Sequence, residues 1–524
     1  MRFPLRNQNN VHRPVVTSTG RTGNLERSHD LRPAVMAFLV PLVIRTIPEV
    51  IAWPYPLGFD TVFFYVPWML QGYPFNFSLL DLLRQTSLFP AVATLLNRWV
   101  ISDPILVIKV LGPLLYGLLG ISIYEFSIRG LRWSERKSLI LVYVASVYFV
   151  SLCISWELYR QMLGTIFLLL ALIAYTSFDG KARYLALSSC AVLVVMSHEL
   201  VAVILLLSVM GDGVFNFLRK RYKSISVLKV ALALVPAGVL FVCQRYGPTE
   251  LGANVLIEVF KVDAITMATH VFGFLIYSFA FLVPLAAYGA RRVGSGVVHS
   301  WFGISLALAI WPVAFPLAPA FWFRWAMFMV YPLAIYFTGG LCDLFSLAGG
   351  RSVVALKATA VLLILSLSVL SGYYIAAAPE NSHPYFSDLN PYKTYIQSSM
   401  LQNTIPLEDV DSTIAALSWL EDRTNEHSVL ILHEAFYAWA LLYTHSPTSI
   451  ILVRENKPLS AVTREPALGM LMDESSLVAE NGYQVYTIWW ANGKGWYMIP
   501  ELPNQFSLLM QFGNIGAYAY VGEE

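Results

Sequence analysis

The chain has 524 residues, of which 57% are hydrophobic and 13% charged, against roughly 25% charged in an ordinary soluble domain. The net charge of +2 is spread over short loops, which argues against a nucleic-acid partner, because such a footprint gathers basic residues on one face. The composition is that of an integral membrane protein. Four cysteines (Cys153, Cys190, Cys243, Cys342) lie inside apolar segments without a CxxC pair, so neither a disulfide framework nor a zinc site is indicated.

Residues 1–33 are rich in Arg, Ser, Thr and Asn without apolar periodicity and read as a flexible cytoplasmic tail. The apolar run from Ala34 is long and carries no small-residue cleavage site, so no removable signal peptide is expected. A span needs about 20 mostly apolar residues. By that rule eleven segments qualify: 34–53, 104–126, 139–156, 161–178, 184–198, 199–217, 226–245, 271–290, 300–318, 325–345 and 352–376. The run 184–217 is divided by Ser197-His198-Glu199, and it counts as two short spans meeting at a polar elbow.

Loop charges set the direction. With the tail arginines (Arg2, Arg6, Arg13, Arg21, Arg27, Arg32) inside, the cytoplasmic loops hold Arg129, Arg132, Arg136 and Lys137; Lys181 and Arg183; Arg219, Lys220, Arg221 and Lys223; Arg291 and Arg292; and Arg351. That is a positive-inside pattern, and it places the chain in the plasma membrane with its N-terminus cytoplasmic. The outer face then receives Asp60, Glu157, Arg160, His198, Glu199, Glu258, Lys261, Asp263, His270 and Arg324. Their convergence on one face predicts a single external site. Arg45 and Glu49, one turn apart inside the first span, are costly in lipid and should face the protein interior.

The first external loop, 54–103, opens with Pro54-Tyr55-Pro56-Leu57-Gly58-Phe59-Asp60. Pro and Gly make this a turn, and Asp60 begins an amphipathic run, Thr61 to Gln71, suited to a helix in the membrane interface. Asp60 is either the N-cap of that helix or an acid available for chemistry, and the two roles are compatible. The loop also carries the sequon Asn76-Phe77-Ser78. Residues 377–524 contain no further span and are expected to fold as an extracytoplasmic α/β domain: helix 408–424, strand 428–432, helix 434–443, strand 449–453 and strand 483–490. No dinucleotide, P-loop or nucleophile-elbow pattern occurs there.

A transferase that uses a phosphate-bearing lipid donor needs a base, a cation for the phosphate and an apolar groove. Asp60 can supply the base. Arg160 and Arg324, at span boundaries, can supply bidentate phosphate contacts or serve as snorkelling anchors. Trp156-Glu157-Leu158-Tyr159-Arg160 reads either as a local ion pair on a helix's first turn or as a second active-site acid, Glu157, beside a phosphate contact. His198 is a substrate contact, a metal ligand or a capped turn residue. For a divalent metal, Mg or Mn, the available ligands are Asp60, Glu157, His198 and Glu199. The aromatics around Asp60, with Tyr65 the candidate substrate contact, form an interfacial belt or a surface for sugar rings.

These residues resemble the GT-C superfamily of polytopic glycosyltransferases. The features that carry the likeness are Gly58-Phe59-Asp60-Thr61-Val62-Phe63-Phe64-Tyr65 after the first span, the second acid Glu157, the late-span start Arg324-Trp325-Ala326-Met327-Phe328, and an outer C-terminal domain. Within that domain, the stretch from Trp419-Leu420-Glu421-Asp422-Arg423-Thr424 to Ser428-Val429-Leu430-Ile431-Leu432 is similar to the run before the WWDYG motif of oligosaccharyltransferase catalytic subunits. Here that place reads His433-Glu434-Ala435-Phe436-Tyr437-Ala438-Trp439, which argues against protein N-glycosylation by that machinery and favours a bacterial or archaeal relative moving a single sugar. The resemblance implies an inverting transfer from a polyprenyl-phosphate sugar donor to a glycan, lipid or protein acceptor. Asp60 would be the base, Glu157 the second acid, and Arg160 and Arg324 the phosphate contacts. The second loop lacks an Asp-Xaa-Asp pair. Two other functions suit a polytopic chain, a transporter or lipid flippase and a non-catalytic assembly subunit. The first is disfavoured because no internal repeat relates two halves.

Overall fold

The structure, a computed structural model, describes residues 31–73, 88–221, 223–245, 259–261, 263–315, 317–319, 322–347, 350–376, 403–444, 449–453, 465–492 and 501–522. Most of the N-terminal tail, the sequon at Asn76, Glu258 and the side chain of Lys261 lie outside the described residues.

The first part is a helical bundle. Its elements are α1 (Arg32–Ile51), a π turn (Thr61–Tyr65) running into α2 (Val66–Leu70), α3 (Leu88–Trp99), α4 (Pro104–Glu125), α5 (Glu135–Val147), α6 (Phe149–Glu157), α7 (Tyr159–Ser177), α8 (Gly180–Ser197), α9 (Glu199–Leu218) and α10 (Ser224–Arg245). There follow β1 (Val259–Lys261), α11 (Ala264–Phe279), α12 (Val283–Ala290), α13 (Gly296–Ala314), β2 (Leu317–Pro319), α14 (Trp322–Met327), α15 (Val330–Ser346) and α16 (Arg351–Ala376). Helix starts are written in the sequence. Asp103 accepts from the amides of Ile105 and Leu106 at 2.8 and 3.3 Å ahead of Pro104, and Asp263 does the same for Ile265 and Thr266, each filling the role of an N-cap.

Helices occupy all eleven expected spans, but they do not all cross in one piece. Among the described residues eight helices are long and apolar enough to span a bilayer, or ten if two bent pairs each count as one span. The pairs are α5 with α6, bent by 65° at Tyr148, and α11 with α12, bent by 86°. The eleventh segment is α8, an 18-residue helix with Lys181 and Arg183 in its first turn; it falls outside that count and packs along α7.

The second part holds α17 (Val410–Glu421), β3 (Ser428–His433), α18 (Glu434–Tyr443), β4 (Ser449–Val453), α19 (Glu465–Glu480), β5 (Gln484–Trp490), β6 (Phe506–Phe512) and β7 (Ile515–Tyr520). The sheet order is β4-β3-β5-β7-β6, with β3 parallel to β4 and β5, and β7 antiparallel to β5 and β6. Strand β3 is buried along its whole length, as expected for a parallel strand covered on both faces.

The two parts meet on the Asp60 segment. Val62 of the π turn is fully buried in the core of the C-terminal domain, and the Phe63 ring lies 5.7 Å from that of Tyr437 on α18. The Asn403 amide donates to Pro56 O at 3.1 Å, and the Tyr55 hydroxyl donates to Asp411 at the head of α17.

Candidate functional site

The site begins at a broken helix. Leu158 has φ −118° and ψ 58°, so α6 ends at Glu157 and α7 starts afresh at Tyr159. The break leaves carbonyls at the end of α6 without helical partners, and two side chains from the first loop and first helix take them. Thr61 Oγ1 donates to Trp156 O at 3.3 Å and Arg45 Nε to Ser155 O at 3.2 Å.

Glu157 is fully buried. Its Oε1 accepts from the Phe59 amide at 2.6 Å and its Oε2 from the Asp60 amide at 2.9 Å. A carboxylate at a helix C-terminus opposes the macrodipole, and these two amide donors offset that. The sequence had placed Glu157 on the first turn of the next helix, with Arg160 as an ion-pair candidate. The break at Leu158 corrects this: Glu157 closes one helix and turns to the Asp60 loop, whereas Arg160 sits on the next and turns to Glu199.

Gly58 makes the approach possible. Its φ is +97°, and a Cβ there would stand 2.1 Å from Trp156 O, so only glycine lets the loop lie against the end of α6. Asp60 occupies the N-cap position of the π turn but makes no side-chain cap hydrogen bond. Its Oδ2 instead faces Arg324 Nη2 of α14 at 3.3 Å, with the two side chains 11% and 13% exposed. Alongside, Arg160 Nη2 meets Glu199 Oε2 at 3.0 Å, and the buried Nε of Arg160 has no hydrogen-bond partner among the described residues.

Tyr65 is within electrostatic reach of both pairs. Burial and the Asp60 carboxylate push its phenol up, while the Arg160 and Arg324 cations act the other way, and its ring packs within 5.0–5.6 Å of Phe89, Tyr159 and Trp68. His198 is the N-cap of α9, accepting from the Leu200 amide at Nδ1 (3.2 Å), with its ring 6.4 Å from Phe328.

The structure therefore brings Asp60, Glu157, Arg160, Glu199, Arg324 and Tyr65 into one connected cluster. The candidate metal set Asp60, Glu157, His198 and Glu199 is divided instead: two face arginines, one holds amides and one caps a helix. Among the described residues no three His, Cys, Asp or Glu side chains gather as ligands, so this donor set does not fit a Mg or Mn ion and no step is derived through one. Sequence reasoning missed Glu199 as the counter-ion of Arg160, and Gly58 and Thr61 as the residues that seat the loop. Glu199 is the acid of a helix's first turn just past the polar elbow, and that was the available signal.

No family model matches the chain and no curated protein matches it by sequence. Solved structures do match. ArnT from Cupriavidus metallidurans in the apo state aligns over 94% of this chain and 99% of its own, at 12% identity and a TM-score of 0.52. The chain has the GT-C fold. ArnT bound to undecaprenyl phosphate aligns over 94% and 98% at 11% identity and a TM-score of 0.46. The arabinofuranosyltransferase AftD from Mycobacteria aligns over 94% of this chain and 40% of its own, at 13% identity and a TM-score of 0.50.

Proposed function

We propose that this GT-C protein is a membrane glycosyltransferase that moves a sugar from a polyprenyl-phosphate donor to a hydroxyl of a glycan, lipid or protein acceptor at the outer face of the membrane. The observation that carries this reading is the Asp60–Arg324 pair at 3.3 Å. A buried carboxylate beside a guanidinium, at the seam between an apolar bundle and a water-facing domain, sets an acceptor base next to a phosphate cation. The shared fold with an arabinofuranosyltransferase supports a sugar as the transferred group.

In the step, Asp60 accepts the proton of the acceptor hydroxyl as its oxygen attacks the anomeric carbon. The bond from that carbon to the phosphate oxygen breaks, and the polyprenyl phosphate leaves with the electron pair. One displacement inverts the anomeric centre. Arg324 and the Nε–H of Arg160 stabilise the charge that develops on the leaving phosphate. Glu157 holds the backbone that carries the base and transfers no proton itself, a change from the second-acid role the resemblance implies. Tyr65 stands within electrostatic reach of both arginines.

The test is transfer of radiolabelled sugar from a panel of polyprenyl-phosphate sugars by the purified protein and by Asp60→Asn, with and without Mg or Mn. Turnover by the wild type, lost in a folded Asp60→Asn, supports the reading. No turnover with any donor, together with lipid or solute movement in proteoliposomes that survives Asp60→Asn, would replace it with a transporter.

A further inference from the structure

Three charged side chains that take no part in the proposed transfer are buried between α1 and α4. Arg45 is fully buried in α1, and its Nη2 meets Glu49 Oε1 at 2.7 Å. Lys109 of α4 reaches Glu49 twice, at Oε2 (3.1 Å) and at the backbone carbonyl (3.0 Å). Such a cluster is a poor way to stabilise a membrane helix pair, because desolvating ions offsets their attraction and apolar replacement is often neutral. Its reach suggests another role. Arg45 Nε donates to Ser155 O on α6 and Nη2 to the Tyr159 hydroxyl on α7. One guanidinium thus grips both sides of the Leu158 break. Glu157 and Arg160 hang from those same two sides, and Tyr159 packs against Tyr65 and Phe89 at 5.2 and 5.3 Å.

We propose that the Arg45–Glu49–Lys109 cluster is a positioning device for the transfer site: it fixes the orientation of Arg45, and Arg45 fixes the two helix ends that present Glu157 to the Asp60 loop and Arg160 to the donor phosphate. Lys109 anchors Glu49, Glu49 stands against Nη2 of Arg45, and that same Nη2 reaches the Tyr159 phenol while Nε reaches the Ser155 carbonyl. None of the three touches the reacting atoms. A lysine at 45 keeps the charge beside Glu49 but lacks the planar fork that serves both helices at once.

The proposal rests on the transferase reading, so its test has an arm that needs no turnover. Hydrogen exchange of a peptide covering 57–64, which holds the Phe59 and Asp60 amides bound by Glu157, is followed in the full chain in nanodiscs. The variants are Arg45→Met/Glu49→Leu/Lys109→Met, which leaves no unpaired charge, and Arg45→Lys. A peptide over β3 serves as the control for global loosening. We expect at least tenfold faster exchange at 57–64 in the triple variant with β3 unchanged, a smaller acceleration in Arg45→Lys, and a kcat at least tenfold lower with the donor KM within twofold of wild type. Wild-type exchange and kcat in the folded triple variant would overturn the positioning role. Should the triple variant not fold, wild-type exchange in Arg45→Lys would overturn it equally. Should the wild-type protein transfer no sugar, the transferase reading fails while the exchange arm still decides whether the cluster holds the loop.

Discussion

Two buried aspartates stand at helix starts in the two halves of the molecule, and they are handled differently. Asp409, 3% exposed at the head of α17, is surrounded by neutral donors: Trp490 Nε1 reaches Oδ2 at 3.1 Å and Asn514 Nδ2 reaches Oδ1 at 3.0 Å. It staples that helix to β5 and the β6–β7 turn, and nothing about it invites a substrate. Asp60 faces a guanidinium that matches phosphate geometry, and its own amide is held by a second carboxylate. A buried acid satisfied by neutral neighbours holds structure. One set against a cation on a seam between domains is the arrangement that the proposed transfer uses.

Changes around Asp60 should break this contrast most. Glu157→Gln keeps one acceptor but turns an NH2 group toward an amide donor, and we expect kcat to fall by about 10²–10³, a loss of roughly 3–4 kcal/mol in transition-state stabilisation, measured in the transfer assay with folding checked by size exclusion. Gly58→Ala puts a methyl against Trp156 O and demands a strained backbone, costing about 1–3 kcal/mol; its kcat should drop by about 10² and its melting temperature should fall. Arg324→Lys keeps the charge and loses the fork, so kcat/KM for the donor should fall about tenfold. Wild-type kcat/KM there would leave Arg324 as an anchor.

The smallest effect belongs to Asp409. Burial holds its carboxyl above the usual carboxylate range, with the Asn514 and Trp490 donors pulling the other way. The folded domain then binds this proton more tightly than the unfolded chain. The stability it contributes is full below the ordinary value of about 4 and is lost as pH rises through the raised folded value. Asp409→Asn should flatten that part of the pH–stability curve, read by tryptophan fluorescence melts, and leave turnover unchanged.

Much of this arrangement was legible from residues alone. Asp60, Arg160 and Arg324 were marked by charge at the ends of apolar runs, and the bounds of α18 and β4 follow from composition and alternation. The pairing of the charges was not legible. Spacing of three made Glu157 and Arg160 look like partners, but that holds only within one continuous helix, and nothing in Leu158 announces a break. Only the fold shows that the carbonyls freed there are taken by Thr61 and Arg45, more than ninety residues earlier. The β6–β7 hairpin was missed although Gly513-Asn514, with Gly513 at φ +54°, is a turn signal. Helix α19 was also missed.

The most direct measurement is the transfer rate of Asp60→Asn beside Asp409→Asn, each with its melting temperature, in one preparation with one donor. Asp60→Asn should stay folded, with a melting temperature lowered as Arg324 loses its carboxylate, and lose about 10²–10⁴ in rate, the range for a general base, while Asp409→Asn transfers at the wild-type rate. Transfer by a folded Asp60→Asn protein at the wild-type rate would contradict the assignment of Asp60 as the base.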